Sequence, residues 1–187
     1  MDMYDDSLII VASDHGELLG EHDCYGHKTP MYDPVLRVPL VSKLPFSRRT
    51  GRIKARVTLS DIFPTMLSVS NLLIPEYVAA RSLQKAGLED REVVGSFFDF
   101  GRHLVLYEGQ YTCMDFQRER PDQLYDLKHE PHETNNQIDS LLDVRAAMKG
   151  SLETLLQRYQ PLFKDKQVDQ KVSERYFEEL RALGYLK

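Results

Sequence analysis

Ser7-Leu8-Ile9-Ile10-Val11-Ala12-Ser13-Asp14-His15-Gly16-Glu17 is the stretch whose reading decides the fold. Leu8 to Ala12 is an unbroken apolar run, the pattern of a strand buried on both faces rather than of an alternating surface strand. It stops at a carboxylate, an imidazole and a glycine. In open α/β sheets, ligands bind beyond the carboxyl ends of the strands. Asp14 and His15 are therefore expected at the rim of a site, with Gly16 allowing a sharp turn after them. An oxygen and a nitrogen donor side by side point to a divalent metal. The competing reading is structural, with Asp14 capping a turn and His15 filling a buried hydrogen bond.

The next segment, Gly16 to Tyr32, reads as a long polar loop. Lys28 is its candidate anion contact, since an ammonium beside a metal can neutralise an oxyanion or a leaving group. His27 is a candidate general acid, because an imidazole titrates near neutrality. Either could equally be a solvated loop side chain. His15, His22, Cys24 and His27 make a conceivable zinc set, although their spacing matches no standard structural site.

Further along, Leu36 to Ser42 is predicted as a strand with Pro39 near an edge or bulge. Val57 to Leu59 is extended, and Ser60 or Asp61 caps a helix running to about Asn71. The apolar pattern weakens from Glu76 to Asp90, which places a domain boundary there. Arg102 to Tyr107 and Gln110 to Met114, joined through Glu108-Gly109, form a predicted hairpin. Leu124 to Leu127 is a further strand. Ile138, Leu141, Leu142, Met148, Leu152, Leu155, Leu156 and Tyr159 recur at helical spacing, so a long helix packs on the sheet by one face. A last short helix is expected over about Ser173 to Leu183, stopped by Gly184.

Composition narrows the function classes. The 187 residues are 42% hydrophobic and 28% charged, with a net charge of −5. That acidic balance argues against a nucleic-acid surface. No apolar run approaches transmembrane length. Cys24 and Cys113 form neither a disulfide framework nor a C-x-x-C pair.

Five separated motifs then occur in one order. Ser13-Asp14-His15-Gly16-Glu17, with Gly20-Glu21-His22, Gly26-His27-Lys28 and Tyr32-Asp33 leading to Arg37-Val38-Pro39-Leu40, resembles the sulfatases of the alkaline-phosphatase superfamily. Ser60-Asp61-Ile62-Phe63-Pro64-Thr65 resembles the next helix start of that family, and Arg81-Ser82-Leu83 the close of its catalytic domain. Leu124-Tyr125-Asp126-Leu127 with Glu130-Pro131-His132-Glu133-Thr134-Asn135-Asn136, and the terminal Leu183-Gly184-Tyr185-Leu186, resemble its C-terminal subdomain.

The resemblance implies an α/β fold: the C-terminal portion of an alkaline-phosphatase-like α/β/α sandwich over 1–90, then a small antiparallel-sheet-and-helix subdomain over 91–187. It implies hydrolysis of a small-molecule or carbohydrate sulfate ester, with Asp14 and His15 as metal ligands and Lys28 on the sulfate and leaving oxygen. The metal is usually calcium in this family; the histidine leaves magnesium or manganese open. The family's formylglycine nucleophile arises in a Cys/Ser-x-Pro-x-Arg motif that this sequence lacks. The paired aspartates of the family's first strand are absent too. The chain is therefore expected to need the N-terminal part of the catalytic domain and to turn over little alone. The Ser-Asp-His-Gly-Glu run also resembles phosphoethanolamine transferases, a phosphoryl-transfer alternative in which His27 fits. A non-catalytic fragment is the third expectation.

Overall fold

The computed structural model describes residues 3–27, 31–84, 90–98, 102–116 and 120–159. Two compact units are present, Met1–Leu152 and Glu153–Lys187, and the sheets and the candidate site belong to the first. The predicted helix at 173–183 and the candidate Lys28 lie outside the described residues.

The central element of the first unit is a four-stranded antiparallel sheet in the order β5-β6-β7-β8: Val93–Phe98, Arg102–Glu108, Tyr111–Asp115 and Gln123–Asp126. The predicted hairpin is β6 and β7, turning at Gly109, whose φ of 56° suits glycine. The edge strand β5 has no counterpart among the predicted strands. Register explains which side chains share a face. Val105 stands opposite Met114 and Tyr107 opposite Thr112, which in turn faces Tyr125. These join Phe116, Leu18, Tyr32 and Val35 in one buried cluster. At Gly95, in register with Val105, an added Cβ would come within 3.6 Å of Met31 and 3.8 Å of Leu36.

The opposite face presents Leu104, Leu106, Cys113 and Leu124, all buried. The helix α3, Leu142–Tyr159, lies on that side. Ser151 donates to Glu108 at 3.2 Å, and Lys149 pairs with Asp122 at 2.8 Å. Met148 and Leu152, four apart on one helix face, are both buried. Gly150 sits mid-helix with open space around its Cα, so it does not break the helix. Ile138 and Leu141 precede α3 rather than belonging to it.

The amino-terminal part departs from expectation. The apolar run forms β1, Ile9–Ala12, but pairs only with β4, Leu40–Lys43, antiparallel. It is not buried on both faces: Val11 is 62% exposed and its partner Val41 64%. The physical reason is that, among the described residues, no further strand flanks this pair. Leu36 likewise ends a short helix α1, Asp33–Leu36, instead of starting a strand, since Pro34 at its first turn favours helix.

Asp61 takes the N-cap position of α2, Ile62–Val69, as expected, without a side-chain capping bond to it, while Thr58 caps the helical turn Leu59–Asp61 that runs into α2. Buried Asp61 accepts from the Thr58 N–H at 2.9 Å and the Arg81 N–H at 2.9 Å, and it pairs with Arg91. Thr65 accepts from the Leu83 N–H at 2.8 Å. The Asp61–Thr65 and Arg81–Leu83 motifs, twenty residues apart, are thus joined by a carboxylate and a hydroxyl. α2 ends where Asn71 takes a positive φ of 56°.

Candidate functional site

The loop after β1 leads into a small hairpin, and that hairpin assembles the site. Its strands β2, Leu18–Leu19, and β3, Tyr25–Gly26, pair with Leu18 opposite Gly26. The residues just outside that pair, Glu17 and His27, are therefore brought face to face. His27 Nδ1 and Glu17 Oε2 are 3.1 Å apart. The turn between the strands needs left-handed backbone at Gly20, His22 and Asp23. Within the expected long polar loop, residues 18–26 thus form a hairpin.

His15 stacks on His27 with ring centroids 4.0 Å apart. One donor atom each from His15, Glu17 and His27 lie within 4.8 Å of one another, all three residues being exposed. Asp14 stands beside this group, its Oδ2 3.9 Å from His15 Nε2. The His15 N–H donates to Asp14 Oδ1 at 3.0 Å. That bond and others from the local backbone hold the Asp14 carboxyl below its usual range, with the His15 and His27 rings adding to the effect.

The four-residue zinc set is not assembled. His22 stacks instead on Tyr32, centroids 3.5 Å apart and nearly parallel. Desolvation there lowers its pKa, opposed by Glu130, Glu21 and Asp23. Among the described residues, Glu17 replaces His22 and Cys24 in the donor cluster. Glu17 can be found from sequence only by recognising the short hairpin, because its role depends on the cross-strand register.

Helix α1 holds this loop from behind. The Gly16 N–H donates to the Val35 carbonyl at 2.8 Å. A Cβ on Gly16 would sit 1.9 Å from the Pro34 carbonyl oxygen, so only glycine allows this approach. Gly16 is expected to permit a sharp turn, but it lies outside the positive-φ glycines, and the need for glycine comes from its contact with α1.

Neither cysteine supplies an alternative nucleophile at this place. Cys113 is buried in the sheet, and burial pushes its thiol up to about 11. Cys24 is half-buried within the hairpin turn and outside the donor cluster. No helix among the described residues is long and apolar enough to cross a membrane.

Donors of this type, carboxylate and imidazole together, fit a divalent cation. Comparison with known proteins places the chain in a family. Residues 20–160 match the family model for N-sulphoglucosamine sulphohydrolase, C-terminal. The chain is 26% identical over 177 residues to an uncharacterized sulfatase, YidJ, of Escherichia coli, covering 87% of this chain and 35% of that protein. The protein BT4656, solved in complex with its substrate D-glucosamine-2-N, 6-O-disulfate, superposes with a TM-score of 0.66 at 23% identity. That match covers 89% of this chain and 36% of the other. A phosphonate monoester hydrolase of Agrobacterium radiobacter superposes with a TM-score of 0.64 at 26% identity, covering 83% and 35%. The chain thus spans about a third of the length of each of these proteins. Its α/β architecture is theirs, and the sheet β5 to β8 with α3 is the predicted antiparallel-sheet-and-helix part. The chain belongs to the sulfatase family, as the C-terminal part of such a protein.

Proposed function

We propose that this chain carries the metal-holding and leaving-group side of a sulfate-ester hydrolase. The single observation that carries the reading is the approach of His15, Glu17 and His27 donor atoms to within 4.8 Å of one another, with Asp14 outside that cluster and next to His15. Asp14 and His15 would hold the metal, with Glu17 and His27 within reach of the same cation. A bound divalent metal would supply positive charge to polarise the sulfate oxygens. Calcium is the ion the family favours; the imidazoles make manganese and magnesium the comparison ions of any test.

Lys28, which follows His27 in the sequence, is assigned the contact with the sulfate and leaving oxygen on the family resemblance alone. His27 would donate a proton toward the leaving oxygen, while Glu17 orients its ring through the 3.1 Å contact. No Cys/Ser-x-Pro-x-Arg motif occurs in the sequence. The nucleophile is therefore assigned to the N-terminal part of the catalytic domain, with residues 1–90 completing that domain and 91–187 forming its C-terminal neighbour. A sulfated carbohydrate is the proposed substrate class, supported by the sulfated sugar bound to the relative BT4656.

The test is calorimetry with calcium and manganese on this chain, on Asp14→Ala and on Lys28→Ala. Metal binding lost in Asp14→Ala but kept in Lys28→Ala, where sulfate binding weakens, is the expected result. Equal metal binding by Asp14→Ala and the parent overturns the assignment. The likeness to a phosphonate monoester hydrolase favours one second reading, a phosphoryl-type substrate. Tighter binding of a phosphonate than of sulfate to the metal-loaded chain would select it.

A further inference from the structure

Glu133 lies far from the donor cluster in sequence, yet two hydrogen bonds connect it to the loop that carries Asp14 and His15. The side chain is buried to 1% exposure. Its Oε2 accepts from the Asp33 N–H, the first amide of α1, at 2.7 Å. Its Oε1 is buried with no hydrogen-bond partner among the described residues. Two residues on from Asp33, the Val35 carbonyl accepts from the Gly16 N–H at 2.8 Å. Tyr107 of β6 donates to Asp33 Oδ1 at 3.3 Å, fastening the same end of α1 to the sheet.

Glu133 itself takes a positive φ of 55°. A non-glycine residue in that region is strained unless its surroundings over-determine it. The turn before it does so: Glu130 accepts from the His132 N–H at 3.0 Å and the Thr134 N–H at 2.7 Å. A buried carboxyl that is half-satisfied lowers stability. Committing it to one amide of a four-residue helix makes structural sense only if that helix must be held in place.

We infer that Glu133 is a positioning residue for the candidate metal site: through Asp33 N–H, α1 and the Val35 carbonyl, it sets where Gly16 and hence Asp14 and His15 stand. The inference rests on the proposed function for its purpose but not for its linkage. The groups facing Glu133 are Asp33 on α1, paired with Arg37, Tyr107 on β6, Tyr125 on β8 and Glu130 in the same loop. Burial pushes the Glu133 carboxyl up to about 7, the Asp33 and Glu130 charges add to this, and the Asp33 amide opposes it. The buried ionised carboxylate faces two others, so openings that expose Glu133 become easier as pH rises from about 4.5 to about 7.

Hydrogen exchange of single amides, expressed as protection factors, tests this in wild type, Glu133→Ala and Glu133→Gln, with manganese affinity measured in parallel. In Glu133→Ala the Asp33 and Gly16 amides should lose about tenfold protection while the Leu106 and Met114 amides keep theirs. Manganese should bind about tenfold more weakly, the scale seen when an outer partner of a ligand is removed. Glu133→Gln keeps an acceptor and should rescue both. Protection of the Asp33 and Gly16 amides should fall between about pH 4.5 and 7 in wild type and stay flat in Glu133→Gln. That slope opposes the gain in metal affinity expected as histidines deprotonate.

Unchanged Gly16 protection in Glu133→Ala overturns the inference. If that variant does not fold, identical pH profiles for wild type and Glu133→Gln overturn it instead. Manganese binding absent from every form, with the amide linkage intact, would overturn the proposed function alone.

Discussion

β1 and β7 are both short strands, and their fates are opposite. Ile9 to Ala12 pairs with one strand and leaves Val11 and its partner Val41 more than 60% exposed. Tyr111 to Asp115 lies between two strands, with Cys113 and Met114 buried on opposite faces at 1% and 0%. Apolar residue type does not predict the difference, since the wholly aliphatic strand is the more exposed one. What covers each face does: the Tyr32–Val35 segment lies on one side of β7 and α3 on the other. Nothing among the described residues covers Val11 and Val41. Phe63 and Met66 of α2 and Leu72 and Leu73 after it are exposed as well. A surface of this kind marks an interaction site, and we propose that the N-terminal part of the catalytic domain is what covers it.

The largest effects should come from breaking the buried region. Met114→Ala removes a fully buried side chain from the shared cluster and should cost about 2–5 kcal/mol in chemical denaturation. Val11→Thr on the exposed pair should stay within about 0.5 kcal/mol. It should also lessen self-association in sedimentation, because an open apolar edge promotes it. Equal costs at the two positions would erase the distinction.

Next in size is Gly16→Ala, which sharpens the comparison where the two regions meet. The added methyl would overlap the Pro34 carbonyl, and backbone cannot yield as a side-chain tip does. Overpacking of this kind typically costs about 1–3 kcal/mol. Metal affinity should fall with it, measured by the same calorimetry. A Gly16→Ala chain with unaltered affinity would show that α1 does not hold the loop.

The cysteines offer a chemical readout of the same contrast. At pH 8, Cys24 should react with iodoacetamide in the folded chain, whereas Cys113 should react only on unfolding. The reason is that Cys113 is buried and its thiol is raised to about 11. Mass spectrometry of the labelled peptides would decide it.

The smallest effect concerns pH. Glu133 has a folded pKa of about 7 against an ordinary value of 4.5. Its contribution to stability is therefore fully present below about 4.5 and is lost as pH rises through about 7. Denaturation midpoints should decline across that window in wild type and decline less in Glu133→Gln.

Much of this architecture is legible in the chain itself. The β6–β7 hairpin follows from a glycine turn between two β-rich runs, and α3 from apolar spacing that only a helix can place on one face. Membership of the sulfatase family follows from motifs kept in order. Those are local or ordered properties, and a linear string records them. The strand β5 is not legible in the same way, because its phenylalanines and valines sit beside a stretch with no clear turn signal.

The donor cluster is legible in part. Asp14, His15 and His27 carry recognisable chemistry, but Glu17 becomes their neighbour only through the register of β2 with β3. His22 has the chemistry of a ligand and is instead a stacking partner of Tyr32, since ring contacts are made in space. Glu133 reads in sequence as one more acidic residue of a polar loop. Its burial, and the amide it holds a hundred positions away, arise from how the loop after β8 folds back onto α1. The sequence by itself therefore determined which elements form and which side chains bear chemistry, because those depend on neighbours along the chain. The tertiary structure decided which surfaces are covered and which donors meet, because burial and distance are set by residues remote in sequence.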